Sequence, residues 1–495
     1  MATEREYQEW QKRKNQGKKR YKKNNNKNLT FVFWFGISIL SILFAIKNQP
    51  QLVNKVSQTP QLIPILSFLN SLNLEVNSLK NLTQEFVTET DESVVVIPNQ
   101  KNFRDTTFQR IDNLAINVKY SGNSVKELAN ILSQYATTDE EKARIIYTWI
   151  THNISYDVVA LANLFDKNIY PDVTTKNVLT TRSTICSGYA NLYQQLAEYM
   201  GLKSVIILGY SKGINYVVGK DNQVNHSWNG VKIDGNWYLI DTTWGAGIVD
   251  NNQFIAEFNP FYFATKPEHF IYSHFPENPQ WQLLTTPFSR AQFDTFPDIS
   301  TALFDNNIQL ISHQNLHIDT DNNLNVTLKA PKNIVAIANL KTGENELIEN
   351  YTFVQKQGEN INVNASFPEK GDYKLEIFAK PKDESNNYPL IVSYEVSAEG
   401  KGNKFPVTFK HFSEHNGYLE SPLSATLNEN QNIYFKMRIK SAQEVKVVNQ
   451  STNQWHDLSK YGDVFAGNIN VGSGKIMVFA KFPEDSRYWA LLEYN

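Results

Sequence analysis

The sequence predicts an α+β protein in which a mixed helix-and-strand core, residues 108–298, precedes two all-β sandwiches, residues 299–400 and 401–495. Three observations predict it. Apolar residues recur at helical period from Ser124 to Asn153 and again from Cys186 to Met200; the period changes to two after Gly201; and from about Ser300 short alternating runs are broken by Asn, Gly, Lys and Asp.

Before the core lie three segments of different character. Residues 1–28 are strongly basic, with Lys and Arg from Arg5 to Lys27 set against Glu4, Glu6 and Glu9. Residues 29–46 carry no charge and approach the roughly 20 apolar residues of a membrane-spanning helix. Basic flanks stay cytoplasmic, so this pattern predicts a single-pass membrane protein whose later domains are exported, periplasmic or extracellular. A cleaved signal peptide is the rival reading, disfavoured because the run exceeds a typical h-region and no Ala-x-Ala site follows. Residues 47–107, rich in Asn, Gln, Ser and Thr, read as a stalk in which Leu62 to Leu82 are dense enough for a short amphipathic helix.

In the core, Ser124 to Tyr135 places Val125, Leu128, Ala129 and Leu132 on one helical face. A second helix begins at the capping sequence Thr138-Asp-Glu-Glu141 and ends near Asn153; a third starts around Cys186 and stops at Gly201. Strands are expected at Ser204–Leu208, Val224–Ile233 and Asn236–Thr242. Asp234-Gly235 joins the last two as a two-residue type I′ turn. If Ile233 faces Asn236, counting outward sets His226 opposite Thr243, with Asp241 a diagonal neighbour of His226 on the same face.

That register matters because Cys186 is the chain's only cysteine. A thiol without an intrachain partner is best explained by its chemistry, and in the first turn of a helix free amides and the dipole lower its pKa. Cys186, His226 and Asp241 supply what thiol catalysis needs: a nucleophile, an imidazole base and a carboxylate to orient it. Other groups read as structural. His274 precedes a proline turn and has no carboxylate at useful spacing. Trp228, Trp237 and Trp244 read as core or cleft walls. His313 and His317 have a ligand-like spacing but lack a supporting Cys pair or glutamate, so no metal is expected. Asp319-Thr-Asp-Asn-Asn323 lacks the glycine and distal glutamate of a calcium loop and reads as a hairpin turn. No cofactor is expected either. A net charge of -2 argues against nucleic acid as a partner.

Cys186-Ser-Gly-Tyr-Ala-Asn-Leu192, His226-Ser-Trp-Asn-Gly-Val231 and Trp237-Tyr-Leu-Ile-Asp241-Thr-Thr-Trp-Gly-Ala-Gly247 together resemble the transglutaminase-like core of the papain-like cysteine enzymes. The segments Glu141 to Asp157 and His274-Phe-Pro-Glu277 to Leu284 bring the resemblance closest to the kyphoscoliosis peptidase branch. The resemblance implies Cys186 as nucleophile, His226 as general base and acid, and Asp241 as orienting carboxylate. It leaves open whether the reaction is hydrolysis or amine transfer. The implied mechanism is thioester formation on a peptide or glutamine amide, with the Cys186 amide holding the oxyanion and Trp149, Tyr156 or the Asn153 amide as candidate second donors. Envelope or surface proteins are the expected protein or peptide substrates. The alternative is a catalytically silent scaffold that binds a partner through the same fold.

The two β regions resemble each other: Gly371-Asp-Tyr-Lys-Leu-Glu-Ile-Phe-Ala-Lys380 matches Ser473-Gly-Lys-Ile-Met-Val-Phe-Ala-Lys481. Their spacing of about 100 residues is that of an immunoglobulin-like sandwich. Such domains are expected to bind protein partners or act as spacers.

Overall fold

The computed structural model describes residues 101–495 apart from 104–106, 214, 215, 217, 219–223, 386 and 484. The basic segment, the apolar run 29–46 and nearly all of 47–107 lie outside the described residues. Among the described residues no helix is long and apolar enough to cross a membrane. The longest, Asp139–Asn153, has 15 residues and opens on Asp139, Glu140 and Glu141, where a span needs roughly 20 apolar ones. The single-pass, exported placement expected from residues 1–46 is not retained: no described helix supplies a span, and residues 29–46 lie outside the described residues.

The core begins with three helices, α1 (Gln109–Asn117), α2 (Val125–Ser133) and α3 (Asp139–Asn153). The capping sequence at Thr138 acts as expected, its side chain accepting from the Glu141 amide, and Ser124 likewise accepts from the Glu127 amide. Arg144 of α3 is only 4 % exposed. It donates to both oxygens of Asp112 at 2.8 and 2.9 Å, and the Thr148 hydroxyl joins that carboxylate at 2.6 Å. The guanidinium also lies over Phe263, 4.8 Å from the ring centre, so one buried cation locks α1, α3 and the aromatic core.

After α3 the chain forms β1 (Ser155–Tyr156), α4 (Val158–Lys167), α5 (Thr175–Thr181), β2 (Ser183–Thr184) and α6 (Cys186–Tyr199). Neither α4 nor α5 is announced by a long apolar period, and both are short. A five-stranded antiparallel sheet follows: β3 (Ser204–Ser211), β4 (His226–Ile233), β5 (Asn236–Ile240), β8 (Phe263–Thr265) and β9 (His274–Pro276), in the order β8-β5-β4-β3-β9. Between β5 and β8 stand a short helix α7 (Thr242–Ala246) and a hairpin of β6 (Gly247–Asp250) and β7 (Gln253–Ala256). Helix α6 packs on β4, and Leu192, Tyr193 and Leu196 join Trp149, Trp228 and Ile240 in one buried core.

Asp234 and Gly235 both have positive φ, 48° and 83°, as a type I′ turn demands. Ile233 faces Asn236 and the ladder runs to Asn229 opposite Ile240. There it departs from the sequence expectation. Asp241 leaves the sheet to cap α7, so Thr243 never pairs with His226, and His226 instead pairs with Gly209 of β3.

Beyond the core are two β-sandwiches. In the first, Leu390–Ala398, Gly371–Pro381 and Ile334–Thr342 centre one sheet, and Asn323–Lys329, Asn360–Ser366 and Thr352–Gln357 the other. Their inward residues, among them Val326, Val363, Leu375 and Ile377, form a common core. The second repeats the plan with Tyr488–Tyr494, Ile476–Lys481 and Glu444–Asn449 in one sheet and Asn432–Arg438 and Val464–Asn470 in the other. The repeat extends to an irregularity: the register shifts between Ile377 and Phe378 in the first and between Val478 and Phe479 in the second. Gln355 links the sandwiches, its amide bonded to both the backbone N–H and C=O of Leu419. The Asp319–Asn323 segment is not a hairpin turn, because His317–Thr320 and Asn323–Lys329 pair with strands of different sheets.

Replacing Arg144 with Leu strands the Asp112 carboxylate and should cost about 3 kcal/mol of core stability. A lowered urea midpoint for the core transition, with the sandwich transition unmoved, is the expected result.

Candidate active site

Cys186 occupies the first position of α6 and is partly exposed. Ile185 caps the helix without a side-chain bond, so no side chain of the cap occupies the first-turn amides. β1 and β2 pair in parallel and set Tyr156 beside Thr184, two residues before the thiol.

His226, the first residue of β4, is 6 % exposed, and Asp241 is fully buried. The His226 Nε2 and Asp241 Oδ2 are 2.8 Å apart. Asp241 Oδ1 accepts from the Thr243 and Trp244 amides at 2.7 and 3.1 Å. A carboxylate so placed is ionised and acts only as an acceptor, so His226 must carry its proton on Nε2. That leaves Nδ1 for Cys186, which lies close enough to the imidazole for each to shift the other's pKa. The three sequence-predicted residues therefore meet, although Asp241 arrives as a helix cap rather than a strand neighbour.

The electrostatics follow from burial and pairing. Burial pushes the Cys186 thiol up, but the hydrogen bond and charge of His226, with the Ser227 hydroxyl and amide, bring it below its ordinary value. Burial alone would depress His226; the Asp241 charge and hydrogen bond overcome this and raise it to about 10. For Asp241, burial opposes ionisation, but His226 and then His274 hold the carboxyl well below the usual range. The site thus favours a thiolate–imidazolium pair beside a fixed carboxylate.

His274 contradicts the sequence expectation. It has a carboxylate partner, and that partner is Asp241: Nε2 to Oδ2 is 3.0 Å. The signal was hidden because 33 residues separate the two and β9 is only three residues long. Gly209 makes the approach of these strands feasible. A side chain there would lie 2.3 Å from the Phe275 carbonyl and 2.4 Å from the Trp228 ring that covers His226. Ligand atoms of His226, Asp241 and His274 fall within 4.8 Å of one another. The set fits hydrogen bonding better than metal ligation, since each Asp241 oxygen already accepts two donors and both imidazoles present N–H to it.

Trp228 and Trp244 wall the site, with ring centres 5.9 and 6.0 Å from His226. Trp237 instead stands against Trp281 in the core. Of the candidate oxyanion donors, the Trp149 Nε1 donates to the Val118 carbonyl at 3.1 Å, and the Asn153 side-chain amide to the Trp149 carbonyl at 2.8 Å. Tyr156 stands beside the thiol; burial, then the Cys186 and Asp241 charges, raise its phenol and keep it protonated. His313 and His317 pair with Ser312 and Glu395 respectively.

Residues 126–242 match the transglutaminase-like superfamily and residues 290–408 the KY-like, immunoglobulin-like domain. The chain is 34% identical to the kyphoscoliosis peptidase of Mus musculus over 296 residues, 58% of this chain and 43% of that protein. It is 32% identical to Hillarin of Drosophila melanogaster over 214 residues, 40% of this chain and 25% of that protein. It spans less than half the length of these relatives. A solved transglutaminase structure covers 39% of the chain and 42% of its own at 16% identity and a TM-score of 0.21. The chain thus carries a transglutaminase-like core followed by a KY-like immunoglobulin-like domain, and shares more than half of its own length with the kyphoscoliosis peptidases.

Proposed function

We propose that the protein is a cysteine enzyme acting on amide bonds of peptide or protein substrates through a thioester, with Cys186, His226 and Asp241 as its catalytic triad. The observation that carries this reading is the imidazole of His226, bonded to Asp241 at 2.8 Å and near enough to the chain's single thiol to lower its pKa. The thiolate attacks the amide carbonyl carbon. In this reading the Cys186 amide and the Tyr156 hydroxyl, whose residue stands next to Thr184, receive the developing oxyanion. His226 then protonates the departing amine, leaving a thioester that water or a second amine resolves, with His226 taking the proton back.

The surroundings suit a polypeptide substrate. α4 starts two residues after Tyr156, has no buried residue, and exposes Val159 and Phe165; the β6–β7 hairpin exposes Ile248 and Ile255. Such apolar surface flanking a thiol favours extended chains bearing hydrophobic side chains. The immunoglobulin-like domain supports interaction with protein partners. Substrates are not assigned to the envelope or cell surface, because the exported placement does not hold.

The sign of the pH dependence follows from the site. Cys186 is held below its ordinary value and His226 above, so the reactive pair exists between them, and acyl transfer should fall as pH rises through about 10. Iodoacetamide labelling of Cys186 should persist well below the free-thiol value of about 8.5. Asp241→Asn removes the charge that sustains the imidazolium, so labelling at pH 6 should drop at least about tenfold, one pKa unit. Turnover is tested by incubating the protein with casein, with and without a fluorescent primary amine. Casein cleavage or amine incorporation that disappears in Cys186→Ala supports the proposal; the absence of both in the wild type defeats it.

A further inference from the structure

We propose that His274 is a positioning residue for this site, a second imidazole that holds Asp241 against His226 and so sets the activation of the thiol. The inference rests on the triad reading above and extends it to a group outside the matched stretch 126–242. His274 is 1 % exposed. Its Nε2 meets Asp241 Oδ2, the same oxygen that receives His226, and its Nδ1 lies 2.8 Å from the Ser273 hydroxyl. Because Asp241 accepts only, His274 carries its proton on Nε2, and Nδ1 accepts from Ser273.

The ring has little freedom to do otherwise. It stacks on Phe270 with centres 4.0 Å apart and meets Trp244 edge-on at 4.6 Å and Trp228 at 5.2 Å. The titratable groups facing it are Asp241 from the α7 cap, His226 from β4 at 5.4 Å between ring centres, and Tyr262 at 6.0 Å. Burial, with the nearby His226 charge, outweighs Asp241 and depresses His274 to about 4, so it is a neutral donor while His226 carries the charge. The two imidazoles on one oxygen are therefore unequal: one is the acid–base group and the other fixes the carboxylate.

A neutral donor on Oδ2 has two opposed effects. It draws off part of the charge that His226 sees, and it keeps the oxygen ionised and aimed. In a fully buried site the second effect wins, since an unsatisfied carboxylate lone pair there costs more than a weakened pair interaction. Loss of His274 should therefore loosen the Asp241–His226 contact and raise the pH at which the thiol becomes reactive.

The test compares the pH profile of Cys186 alkylation in the full chain for wild type, H274F, H274Q and S273A. H274F keeps the ring against Phe270 but has no donor; its half-point should rise by about one pH unit, a tenfold loss of rate at low pH. H274Q, which retains an N–H at that position, should stay near wild type, and S273A should shift in the same direction as H274F by less. A wild-type profile in H274F, or an H274Q shift equal to that of H274F, overturns the proposal. Should H274F not fold, an unshifted S273A profile overturns it and an upward shift supports it. Failure of the triad reading is distinct: it shows as an ordinary thiol profile in the wild type itself.

Discussion

Everything in the site converges on the carboxylate of Asp241. It is fully buried yet accepts two backbone amides on one oxygen and two imidazoles on the other. A charge so deep is tolerable only when its lone pairs are filled. Filling them draws together three pieces of chain that are remote in sequence: the junction of β5 and α7, the start of β4 and the start of β9. The same four bonds orient the imidazole and hold it protonated, so the constraint that stabilises a buried charge also prepares the thiol at α6.

The rest of the core serves that convergence. The sheet order puts β4 at the centre, flanked by β5 and β3, and His226 itself is held by its pairing with Gly209 of β3. Helix α6 packs across β4 and aims its N-terminus at the imidazole, while the short β1–β2 pair sets Tyr156 alongside. Two aromatic walls, Trp228 and Trp244, keep water from the charged pair on the sides away from the thiol. Among the described residues the sandwiches contribute no group to the hydrogen bonds of Asp241, His226 and His274. Phe304, just after the last core segment, stacks on Phe261 and His269, so the first sandwich is attached through packing against the core.

Much of this was legible in the chain. The capping residues Ser124 and Thr138, the Asp234-Gly235 turn and the helix opening at Cys186 are local signals whose physics does not need the fold. The strands of the sandwiches show through period-two runs, and even the shifted register at Phe378 and Phe479 recurs at the spacing of the sequence repeat. Other features were invisible because they are decided by tertiary contact. Asp241 looked like a strand residue, but its side chain competes for the amides of Thr243 and Trp244 and ends the strand. His274 looked partnerless because no periodicity links a three-residue strand to a carboxylate 33 positions away. The apolar run 29–46 led to a membrane placement because hydropathy alone does not report what surrounds a segment.

The most direct test of the central claim is the charge state of His226. In protein carrying nitrogen-15 histidine, the account predicts that both ring nitrogens of His226 remain protonated at pH 8, titrating only near pH 10, and that this state collapses in Asp241→Asn. A His226 that loses its proton near the ordinary value of about 6.5 would contradict it.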